Sequence, residues 1–149
     1  AFIKPTFWPG LVTGQQIRCG FDFMWESAGT ETAPEDIAQM YSAGVARDFG
    51  IAVDYDEAGD QLVCLRTDAS TITCAAGDAF NIGDQIGFCI EYEYNSTDIR
   101  MWNNRDCSGT PLLTGVATGA WRINGIKFVG ASLGAVTIWD DLKCEIMPI

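Results

Sequence analysis

The stretch Ile86-Gly87-Phe88-Cys89-Ile90-Glu91-Tyr92-Glu93-Tyr94-Asn95-Ser96-Thr97-Asp98-Ile99-Arg100-Met101-Trp102 decides the fold. Ile86, Phe88, Ile90, Tyr92 and Tyr94 recur at every second position, the period of a strand with one buried face. Asn95-Ser96-Thr97-Asp98 is made of turn formers, and Ile99 to Trp102 resumes the alternation, so the two runs read as a β-hairpin. A four-residue turn predicts Tyr94 opposite Ile99, Glu93 opposite Arg100, Tyr92 opposite Met101 and Glu91 opposite Trp102. This sorts Tyr92, Tyr94, Ile99 and Met101 onto an apolar face, with Glu91, Glu93, Arg100 and Trp102 on a polar one. A slip of one residue would destroy the sorting.

The same period extends outward. Ile17, Cys19, Phe21, Phe23 and Trp25 mark one strand; Ile51, Val53 and Tyr55 mark another, followed by a turn over 56–60. Further strands are expected over 61–67, 71–75, 123–129 and 136–146. One short helix is predicted from Thr32-Ala33-Pro34-Glu35, which has the spacing of a capping box with proline in the first turn, and it should run to about Tyr41. No repeat, linker or low-complexity tract divides the chain. We therefore expect an extended N-terminal arm over 1–14 and one all-β domain over 15–149, a sandwich or barrel with that single helix.

Composition bounds the function. The chain has 149 residues, enough for one domain with a real core. Its 20 acidic and 9 basic residues leave a net charge of −11, which argues against nucleic-acid or anionic-membrane partners. No apolar run approaches the roughly 18–20 residues of a membrane helix, so no membrane insertion is expected. There is no histidine, which removes the commonest general base and metal ligand. Ala1 fits either a removed signal peptide or a removed initiator Met, the second suiting a virion assembled inside a cell.

Six cysteines in a small acidic chain read as a disulfide framework for an oxidising place. Cys64 and Cys74 are equidistant from Ala69 and can face each other across a hairpin. Cys19 shares the inward parity of Phe21, Phe23 and Trp25, and Cys144 that of Val136, Ile138, Leu142 and Ile146. If the terminal strands are neighbours, Cys19 pairs with Cys144, which leaves Cys89 with Cys107. The alternative is six buried free thiols.

Over residues 83–146 the order of features resembles the concanavalin A-like lectin/glucanase superfamily, including laminin-G-like and carbohydrate-binding jelly rolls. The resemblance rests on Ile90 to Tyr94, the turn Asn95–Asp98, Ile99 to Asn104, Pro111-Leu112-Leu113, the Gly125–Gly130 strand and Val136-Thr137-Ile138-Trp139-Asp140-Asp141-Leu142. It implies an antiparallel two-sheet jelly-roll sandwich with adjacent termini. Retaining glycosidases of the superfamily carry paired acidic residues on one strand, and Glu91 and Glu93 superficially fit. Here, however, Tyr92 stands between them and Asn95 follows, and lyases of similar fold use His and Tyr where this chain has no His. A non-enzyme is expected, with a glycoside hydrolase of the same fold as an alternative.

Trp102 beside Glu91, Glu93, Arg100, Asn103 and Asn104 would make a sugar platform, an aromatic plane flanked by hydroxyl-binding groups. If Trp102 is exposed, removing it should leave stability unchanged; the plainer reading packs it under a loop. Calcium, the one cofactor considered, would sit on Asp54, Asp56 and Asp60 or on Asp140 and Asp141, although acidic turns are commonly just solvated. Asn95-Ser96-Thr97 is a weak glycosylation sequon. Phe2, Ile3, Phe7 and Trp8 make an apolar arm that docks on its own domain or on a neighbouring subunit. We thus expect a surface-displayed, oligomeric, lectin-like sandwich, extracellular or on a virion, with carbohydrate or copies of itself as partners. A purely structural subunit, such as a virion decoration protein or extracellular filament subunit, is the other reading.

Overall fold

The computed structural model describes residues 2–3, 9–27, 34–42, 45–55, 60–129 and 136–149. Among these, all regular structure is strand, arranged as two antiparallel sheets in a jelly-roll sandwich. One sheet has six strands in the order β1 (Phe2–Ile3), β10 (Gly125–Phe128), β3 (Glu35–Ser42), β4 (Val45–Tyr55), β5 (Asp60–Arg66) and β6 (Ile72–Asn81). The other has five: β11 (Val136–Pro148), β2 (Gln15–Ser27), β7 (Gln85–Glu93), β8 (Asp98–Trp102) and β9 (Leu113–Val116).

Strict alternation makes β2 the spine of the five-stranded sheet. Its inner residues Ile17, Cys19, Phe21, Phe23 and Trp25 are at most 1% exposed. They meet the other sheet through aromatic edges, with Phe21 and Phe128 centroids 4.9 Å apart and Phe23 and Phe80 6.2 Å apart. Tyr92 joins the core while its hydroxyl donates to the Gly119 carbonyl (3.1 Å) and accepts from the Trp121 amide (2.7 Å), tying down the connection after β9. Burial pushes the Tyr92 phenol up.

The predicted helix is absent: Glu35 onward is β3, hydrogen-bonded between β10 and β4. Two register irregularities in its pairing with β4 break the period of two, so Ile37, Ala38, Met40 and Ser42 are all buried. The helix signal was the capping-box spacing over 32–35, a local cue that sheet pairing overrides. Thr32 and Ala33 lie outside the described residues.

The hairpin differs from expectation by two residues. Glu91 pairs with Arg100 and Tyr92 with Ile99, because Tyr94 leaves β8 and donates its amide to the Gln15 carbonyl at 3.2 Å. Thr97, at φ 61°, closes the wider turn. An even shift preserves both faces, so the sorting of the side chains survives although the register does not.

A second irregularity lies in β11. Between Asp140 and Lys143 it carries one residue more than β2, and Asp141 takes φ 52°. The extra residue inverts parity. Leu142 and Cys144 face inward after the bulge and Trp139 before it, whereas Val136 and Ile138, expected inside, are 45% and 43% exposed.

Disulfides join Cys19 to Cys144, Cys64 to Cys74 and Cys89 to Cys107. Three bridges suit an oxidising, secreted or surface location. Phe2 and Ile3 form β1 on the chain's own six-stranded sheet, while Phe7 and Trp8 lie outside the described residues. The Cys19–Cys144 bridge spans 125 residues, so C19S/C144S should lose about 4–5 kcal/mol of unfolding free energy, read by guanidinium titration of the non-reduced protein.

Candidate functional site

The outward side of the five-stranded sheet gathers charge. Cross-strand register places Glu145 of β11 beside Arg18 of β2, then Glu91 of β7 and Arg100 of β8, in a row perpendicular to the strands. Glu91 is the hinge of this row. It is only 2% exposed, and its two oxygens are taken by the Arg18 Nε and by Arg100 Nη1 at 2.6 Å. Glu93 and Asp98 each sit 3.5 Å from Arg100 Nη2. The hydrogen bond from Glu91, with the other carboxylates adding, raises the Arg100 guanidinium further above its usual value. Two guanidiniums therefore hold Glu91 as a buried acceptor.

The expectation for Trp102 is corrected. It is 4% exposed, packs in a cluster with Cys89 and Cys107, and donates its Nε1 hydrogen to the Gly109 carbonyl at 3.0 Å. It is the floor of a loop and not an open stacking plane. That loop, residues 103–109, folds back across the sheet and is tied down by the Cys89–Cys107 bridge. Asn104 shapes it, with its Oδ1 accepting from the Ser108 amide (3.0 Å) and Asp106 amide (3.2 Å) and its Nδ2 donating to the Ser108 carbonyl (3.1 Å). Asn103 is exposed on the same loop.

Close approach is possible because the strands beneath carry glycine. A Cβ on Gly20 would lie 1.9 Å from the Arg105 carbonyl oxygen, and one on Gly87 2.9 Å from the Arg105 amide nitrogen. The loop thereby delivers Arg105 over the sheet. Its Nη1 donates to Asp22 (3.0 Å) and to Asp141 (2.7 Å), the residue raised by the β11 bulge. Asp141 first and Asp22 next lift the Arg105 guanidinium above its usual value. Lys143 pairs with Glu145 at 2.7 Å, which raises its ammonium likewise.

Between the loop and β11 runs a cleft of about 310 Å³ lined by Gly20, Arg105, Asp106, Asp141 and Lys143. It continues into a pocket of about 110 Å³ that adds Arg18, Cys89 and Glu145. Three cations and three carboxylates line this space, a balanced set of donors and acceptors in a chain of net charge −11. Of the residues singled out from sequence, Glu91, Glu93 and Arg100 form the adjoining ionic row and Trp102 and Asn104 support the loop; the cleft itself was missed. Gly20 and Gly87, glycines inside strands, were the available signal for a backbone crossing overhead.

Of the other sequence candidates, Asp141 lines the cleft, with Asp140 beside it in β11, and the rest lie elsewhere. Asp54 lies near the end of β4, Asp60 opens β5, and Asp56 lies outside the described residues. Among the described residues no group of three or more acidic or cysteine side chains is placed to hold a metal. Asn95 is exposed in the β7–β8 turn.

No protein-family model and no curated protein sequence matches this chain. Solved structures do match it in fold. A heptameric SAP-like pentraxin from Limulus polyphemus shares 12% identity at a TM-score of 0.56, over 92% of this chain and 73% of that one. An alginate lyase from Pseudomonas aeruginosa shares 15% at 0.59, over 89% of this chain and 65% of that one, so this chain spans under two thirds of that enzyme. A polysaccharide lyase of family 18 shares 12% at 0.51, over 99% and 78%. These likenesses show the fold alone, an antiparallel two-sheet jelly-roll sandwich. Because Trp102 is buried and hydrogen-bonded, Trp102→Ala should cost about 3–5 kcal/mol in chemical denaturation, where an exposed platform would cost almost nothing.

Proposed function

We propose that the chain is a non-catalytic, lectin-like sandwich that binds carbohydrate in the cleft between loop 103–109 and β11. The observation that carries this reading is the balanced ionic lining. Fixed guanidinium and carboxylate groups present paired donors and acceptors, a geometry matched to the vicinal hydroxyls of a sugar ring. Prior pairing lowers the cost of ordering these side chains on binding. A near-neutral cleft favours a neutral sugar, or one carrying a single carboxylate, over a polyanion. The fold neighbours named as alginate and polysaccharide lyases lend support by analogy alone.

Two features support binding without turnover. The chain has no histidine, and the paired carboxylates on β7 are locked against Arg18 and Arg100 rather than aimed into the cleft. No calcium is needed by this reading. Three disulfides suit display outside the reducing cytosol, on an extracellular or virion surface, as part of an assembly.

A glycan array probed with the full, non-reduced chain tests the proposal. A defined set of neutral or mono-acidic glycans should bind, and Arg105→Ala should weaken that binding at least about tenfold, the loss of one well-placed ionic contact. Because Arg105 is half-exposed, solvent screens its ion pairs and the variant should stay folded. Absence of any bound glycan sinks the binding reading. Release of new reducing ends or unsaturated uronates from a bound polysaccharide replaces it with catalysis.

A further inference from the structure

β11 is 13 residues long and stands at the rim of its sheet, pairing on one side with β2. Among the described residues no strand covers its other side. Cys144 and Cys19 face each other with Cα atoms 4.1 Å apart, the short spacing of a non-hydrogen-bonded antiparallel pair. The amide and carbonyl of Cys144 therefore point away from β2, as do those of Ile146 two residues on. Ile146 and Ile149 are also exposed apolar side chains on this strand end. An open backbone row with apolar neighbours is a template for another strand.

We propose that this edge pairs with the same edge of a second copy of the chain, antiparallel, about a two-fold axis through Cys144. Backbone direction and charge select that register together. Outward-pointing groups must meet outward-pointing groups, which restricts the axis to pass at a residue and not between two. With the axis at Cys144, Lys143 of each copy faces Glu145 of the other, giving two ion pairs, and Leu142 faces Ile146. With the axis at Lys143, Lys143 would face itself and Asp141 would face Glu145. With the axis at Glu145, the two Glu145 side chains would collide. Only the Cys144 axis is complementary among these three.

The Lys143–Glu145 pair within one chain, 2.7 Å apart, shows that both side chains already reach the outward side of the strand. Self-pairing adds a partner to each while leaving the ladder to β2 untouched. Lysine on an edge strand commonly repels other edges; here the glutamate two residues on turns that repulsion into self-recognition. The product is one continuous sheet of ten strands, five from each copy. Its two-fold axis stands perpendicular to the sheet, so both clefts open on the same side. Two linked sites would multiply the avidity for a polymeric or surface ligand.

Mass by light scattering on the non-reduced full chain, from low to high micromolar concentration, tests this without any ligand and so independently of the glycan reading. Wild type should reach twice 16.2 kDa. Lys143→Glu and Glu145→Lys each set two like-charged pairs across the axis and should halve the observed mass. The double variant K143E/E145K restores both pairs and should restore the dimer. Hydrogen exchange at the Cys144 and Ile146 amides should slow with concentration, while the Lys143 and Glu145 amides stay unchanged. A wild-type mass of 16.2 kDa throughout, single reversals that leave the mass doubled, or a double variant that stays monomeric would each overturn the proposal.

Discussion

The sandwich depends on aromatic packing across its two layers, and Phe23 is the pivot. Its ring lies 6.0 Å from Phe88 on its own sheet, 6.2 Å from Phe80 on the other, and 5.8 Å from Trp139 on β11. Phe128 then stacks on Trp139 at 5.5 Å and meets Phe21 edge-on. Rings of this size dominate the buried area, and tilted or edge-to-face contacts prevail among them. With that layer in place, every outward position of β2, β7 and β11 is fixed in direction. The ionic row and the cleft are the reverse side of the hydrophobic core.

Sequence period revealed most of this because one buried face writes itself into alternate residues. Ile17 to Trp25 and Ile86 to Tyr92 are legible for that reason. Parity pointed to Cys19–Cys144 and distance from a turn to Cys64–Cys74, while Cys89–Cys107 was the pair that remained. Legibility failed in two places. At β3 a local capping-box spacing read as a helix start where sheet pairing makes a strand, and in β11 one extra residue sent Val136 and Ile138 outward. A bulge changes the meaning of every residue beyond it, and its position depends on the partner strand. The short strands β1 and β9 carried too few residues to display a period.

The site was less legible than the fold, because it depends on a segment crossing the sheet. Glu91, Glu93 and Arg100 were visible as a polar cluster from hairpin sorting alone, and they remain together despite the shifted register. Burial of Trp102 depends on the return of loop 103–109, and so does the position of Arg105 over Asp22 and Asp141. Those partners lie 83 and 36 residues away in sequence, and no local pattern links them. Composition cannot report such a contact.

The Cys19–Cys144 bridge also has a mechanical side. It joins β2 to β11, the last strand in the sequence and the rim of the five-stranded sheet. Tension applied from residue 15 toward residue 149 would reach a covalent bond after four residues on one side and five on the other. The 125-residue span between the cysteines would then carry almost none of the load. Forced extension would stop after a few residues of peeling, with the core, the loop and the cleft still intact. A sandwich tethered by its ends could stay folded and keep its grip while being pulled, a property set by covalent topology and not by the depth of its free-energy minimum.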